Sequence, residues 1–113
     1  MKFLCLAYGS EKDWQDLTKQ QQDELLAQDQ VLRDSGAVMS AVELNVTTVK
    51  AWDGSPSTTK TSFAKSDVPL AGFSIIEAAS VEEAVKLVAN TPCARAKGAI
   101  EIRPLLEISG SNG

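Results

Sequence analysis

Twice in this chain of 113 residues a short apolar run is followed by a hydroxyl residue and, three positions later, by glutamine or glutamate. The first instance is "KFLCLAY" at 2–8 with Thr18 and Gln21, and the second is "GFSIIEA" at 72–78 with Ser80 and Glu83. Apolar runs of this length suit buried strands, and the hydroxyl with its Gln or Glu partner is the capping box that opens a helix. A chain that places strand before helix twice is restricted to layered architectures in which helices cover a sheet.

The stretches between these signals complete the pattern. Leu25, Leu26 and Leu32 recur near helical period and Gly36 follows the last turn, so a first helix is expected over about 18–35. Val81, Ala84, Val85 and Val88 form an i, i+3, i+4, i+7 stripe, a second helix stopped by Pro92. "AVMSAVEL" at 37–44 reads as a strand, and the β-branched "VTTVKAW" at 46–52 halts at Asp53-Gly54, a tight-turn signal that predicts a hairpin arm. The last strand, "AIEIRP" at 99–104, alternates, with Ile100 and Ile102 on one face and Glu101 and Arg103 on the other. The expected class is α+β, with both helices on one face of the sheet. Alternate residues of "KFLCLAY", "AVMSAVEL" and "GFSIIEA" then leave an apolar opposite face, which a homodimer burying ~1,000 Å² or more would cover.

Composition narrows the function classes. The length suits one domain, and 43% hydrophobic with 23% charged residues is ordinary for a folded globular chain. Residues 1–106 are read as the domain and 107–113, glycine-rich and small, as a flexible tail. A net charge of −4, with eleven scattered basic residues, argues against a nucleic-acid partner. "MKFLCLAYG" is too short for a signal peptide or a membrane span, so no membrane partner and a cytoplasmic location are expected. Cys5 and Cys93 form no C-x-x-C pair and read as free thiols, and the chain has no histidine. No metal site and no cofactor are expected, and any chemistry falls to Lys, Asp, Glu, Tyr, Cys or Ser.

Four stretches, "LAYGSEKDW" at 6–14, "DGSP" at 53–56, "LAGFSII" at 70–76 and "EEAVKLVANTPCARAKGAIEIRPL" at 82–105, resemble the YCII-related family in its DGPF-type branch. The resemblance spans nearly the whole chain. It implies a ferredoxin-like βαββαβ sandwich with an inserted β-hairpin arm, paired in a dimeric α/β-barrel type assembly. Where the branch has Asp-Gly-Pro-Phe, this chain has Lys60-Thr61-Ser62-Phe63 and keeps only the phenylalanine. Related branches place a histidine and an aspartate in their site, and this chain has no histidine to supply.

The candidate ligand-binding residues are Tyr8, Lys60, Phe63, Lys65, Glu101 and Arg103. A phenol at a strand end can donate into a pocket or pack at an interface rim. Phe63 can wall a pocket or belong to the core, as can Trp14. Lys60 and Lys65 flank Phe63 and are either solvated or site-lining, and Lys65 shares a side with Thr61 and Phe63 in extended chain. Glu101 and Arg103 can pair as ions or present a fixed acceptor and a forked donor to a ligand. Two functions follow: a dimeric module binding a small polar or anionic molecule near the dimer interface, or a small-molecule lyase or isomerase using Lys, Glu or Tyr for proton transfer. No catalytic residue is assigned.

Overall fold

A computed structural model describes residues 1–106. The tail expected at 107–113 lies outside the described residues. In strand β1, Lys2–Tyr8, Phe3 and Cys5 are buried toward the helices while Leu4, Leu6 and Tyr8 are half-buried on the other face. The chain continues through α1, Glu11–Gln15; α2, Lys19–Asp34; β2, Val38–Ala41; β3, Thr48–Lys50; and β4, Ser57–Thr59. It then forms β5, Leu70–Glu77; α3, Val81–Val88; α4, Pro92–Arg95; and β6, Ala99–Pro104. Four strands make one antiparallel sheet in the order β2-β5-β1-β6. With both main helices arising from strand-to-strand crossovers, this is the ferredoxin-like order. None of the described helices is long and apolar enough to cross a membrane.

Register sorts the side chains into cross-strand rows. On the helix side, Ile76 and Phe3 share a row with Pro104; Met39, Ser74, Cys5 and Ile102 form the next; Ala41, Gly72, Ala7 and Ile100 form the third. The core packs on the larger rows through Leu32, Ala84 and Val88. On the open side, Val38, Ile75, Leu4 and Arg103 share one row and Ser40, Phe73, Leu6 and Glu101 the next. The alternation expected of β6 is therefore present, with Ile100 and Ile102 against the helix layer.

Local signals explain the helices. The Thr18 hydroxyl accepts from the Gln21 N–H at 3.1 Å, and the Gln21 amide oxygen accepts from the Thr18 N–H at 2.8 Å, closing a full capping box on α2. At α3 the Ser80 hydroxyl accepts from the Glu83 N–H at 3.1 Å, but the Glu83 carboxylate reaches back to the Ala79 N–H.

Two expectations need correction, and one helix is additional to those expected. The second strand stops at Ala41 rather than Leu44, because its partner β5 begins at Leu70 and only the Val42 N–H, bonded to the Ala71 carbonyl at 2.9 Å, extends the ladder. Pro92 does not stop the preceding helix, which ends at Val88. It occupies the first turn of α4, where its missing N–H costs no helical bond. Helix α1 was not foreseen; Ser10 caps it by accepting from the Asp13 N–H at 3.2 Å. Beside the main sheet, β3 and β4 pair only with each other, turning through Asp53-Gly54, where Gly54 adopts φ +92.

Candidate functional site

Tyr8 ends β1 at a register shift, and two backbone contacts hold that end in place. The Gly9 N–H donates to the Pro69 carbonyl at 3.0 Å, tying β1 to the loop that precedes β5. On the other side Gly98 packs so closely on the Tyr8 carbonyl that a Cβ there would collide with it. The loop after β4 is thereby brought over the phenol.

Residues 62–66 and 68–70 of that loop, with 42–47 and Tyr8, enclose a cavity of about 620 Å³. Tyr8, Phe63 and Lys65 all line it, beside Val46, Val68 and Leu70. Phe63 is 72% exposed, so the core reading of this residue is wrong. Its ring lies 5.4 Å from the Lys50 ammonium, which also sits 5.2 Å from the ring of Trp52, an 88% exposed side chain. Lys50 and Trp52 lie in "VTTVKAW", whose β-branched pattern signals a strand and gives no sign of this clustering.

The other candidates are placed differently. Lys60 donates to the Thr47 hydroxyl at 3.1 Å and does not line the cavity, so this ammonium fastens the loop to the facing segment. Glu101 and Arg103 lie on the open face of the edge strand β6, where Arg103 Nη2 stands 3.7 Å from Glu101 Oε2, too long for a hydrogen bond. The Tyr8 phenol is held above its ordinary value, first by hydrogen bonding to the Glu101 carboxylate, then by partial burial and the negative charge of Glu101, against the opposing charge of Arg103. Neither Glu101 nor Arg103 lines the cavity: Glu101 stands opposite Leu6, one row from Tyr8, and Arg103 opposite Leu4, one row further on. An apolar ring, a donating phenol and an ammonium around one cavity can orient a small molecule that carries acceptor oxygens.

Helices on one side of a β2-β5-β1-β6 sheet, with a cavity at the end of the uncovered side, define a ferredoxin-like α+β protein. The family model of the YCII-related domain matches residues 1–109, and the chain belongs to that family. A similar solved structure is 5-chloro-2-hydroxyhydroquinone dehydrochlorinase (TftG) from Burkholderia phenoliruptrix AC1100, in complex with 2,5-dihydroxybenzoquinone. It is 19% identical, with 93% of each chain covered and a TM-score of 0.48. No curated protein matches the chain.

Proposed function

We propose that the cavity lined by Tyr8, Phe63 and Lys65 binds a small polar or anionic molecule, and that two copies pair through the open sheet face so that the cavity lies near their interface. Within the family this reading places the chain in the DGPF-type branch, with Lys60 at the position of the branch's aspartate. One observation carries it: Lys65 lines a cavity of about 620 Å³ and, among the described residues, its ammonium has no ion-pair partner. An ammonium left free beside an apolar ring is available to an incoming anion.

A lyase or isomerase is the second reading, favoured by the Tyr8–Glu101 couple at the cavity edge. The raised phenol suits hydrogen-bond donation more than proton abstraction, and this supports binding over catalysis. Melting temperature measured against small mono- and dicarboxylates tests the proposal. A carboxylate should raise it, less so at high salt, and Lys65→Ala should abolish the rise. No rise with any of these anions, or an equal rise in Lys65→Ala, would exclude the site.

A further inference from the structure

A second cavity lies on the opposite side of the sheet and shares no residue with the one described above. It measures about 290 Å³ and is bounded by α2, by the sheet and by the segment from Val88 to Cys93. Its origin is legible in the rows: Ala41, Gly72 and Ala7 stand side by side on three strands, and two methyl groups and a glycine cannot fill the space beneath α2. The gap is not easily closed at its centre, because a Cβ on Gly72 would lie 2.7 Å from the Ser40 carbonyl oxygen. Cys5, Leu26, Leu32, Met39, Val88 and Ile100 give the cavity an apolar wall.

Two charges interrupt that wall. Asp29 and Arg33 both line the cavity from α2, one helical turn apart. Among the described residues neither side chain forms an ion pair, the four pairs being Met1–Glu77, Lys12–Asp16, Lys19–Asp23 and Arg103–Glu101. Asp29 is half-buried and Arg33 exposed, so the two mark the side from which solvent reaches the space. A carboxylate and a guanidinium that form no close ion pair with each other can receive a ligand bearing both charges.

We propose that this cavity is a second binding site, for a free amino acid with an apolar side chain. Its ammonium would meet Asp29, its carboxylate would meet Arg33, and its side chain would lie over the Ala41, Gly72 and Ala7 row. The volume sits at the lower edge of the roughly 300–1,000 Å³ typical of small-molecule sites, which favours a compact ligand. Burial raises the Asp29 carboxyl above its usual range while the charge of Arg33 opposes the shift, so ionised Asp29 is a strain on the free protein that a bound ammonium relieves.

Calorimetric titration of the full chain with L-leucine and L-methionine tests the site. Two controls each lack one charge: 3-methylbutylamine and 4-methylpentanoate. An amino acid should bind at millimolar or lower concentration, with each control weaker by about tenfold. Asp29→Asn should weaken the amino acid and the amine, Arg33→Gln the amino acid and the acid, and Ala41→Leu should remove all binding by filling the space. Circular dichroism verifies that each variant is folded. Absence of binding to the folded wild-type protein overturns the proposal. So does binding of equal strength in folded Asp29→Asn and Ala41→Leu.

Discussion

Tyr8 is the sole tyrosine of the chain, so its ionisation can be followed by ultraviolet absorbance without overlap from another phenol. Its contact with Glu101 favours the neutral form, and the titration midpoint should lie above the usual value near 10. Glu101→Gln should bring it back down; a midpoint that does not move would remove the contact from the site. The linked stabilisation is fully present below the unfolded value and fades as pH climbs through the raised native one. Asp29 has the same sign with the opposite consequence at neutral pH. Its raised native value means that folding favours the protonated acid, a contribution lost as pH rises through that value, so at pH 7 the ionised side chain costs stability. Asp29→Asn should raise the melting temperature at pH 7 by a few degrees, and an unchanged or lower melting temperature would contradict the burial described for this carboxyl.

At the scale of elements, capping decides where helices begin. Thr18→Ala removes the acceptor for the Gln21 N–H and should cost about 1 kcal/mol, read from the midpoint of urea unfolding. A loss below ~0.3 kcal/mol would show that tertiary packing alone holds α2. The longer elements could be anticipated because each carries its own signal: a capping box and an apolar stripe for α2 and α3, alternation for β6. The short ones have no room for a period. Helix α1 has five residues and α4 has four. Glycine was also ambiguous at the turn into β6. Lys97, not Gly98, takes the left-handed conformation with φ 60, because the glycine is needed where the backbone meets the Tyr8 carbonyl.

At the scale of the whole molecule, half of the candidate site could be inferred and half could not. The alternation of "AIEIRP" was enough to put Glu101 and Arg103 on the open face. No spacing rule brings Tyr8 to Phe63 and Lys65 across more than fifty residues; that grouping depends on the loop anchored by Gly9 and Pro69. The helix-side cavity was hidden for a related reason, since its floor comes from three strands and appears only once their register is known. Val38, Ile75 and Leu4 in one row and Phe73 and Leu6 in the next form a connected apolar strip on the open face. Burying the strip against a second copy would place Glu101 and Arg103 at the rim and the Tyr8 cavity beside the contact. The most direct measurement is light scattering at low micromolar concentration on the wild-type protein and on Leu6→Glu. The wild type should have close to twice the 12.1 kDa chain mass and folded Leu6→Glu close to the chain mass itself; a wild-type monomer, or a dimer indifferent to Leu6→Glu, would contradict the interface and the position of the site beside it.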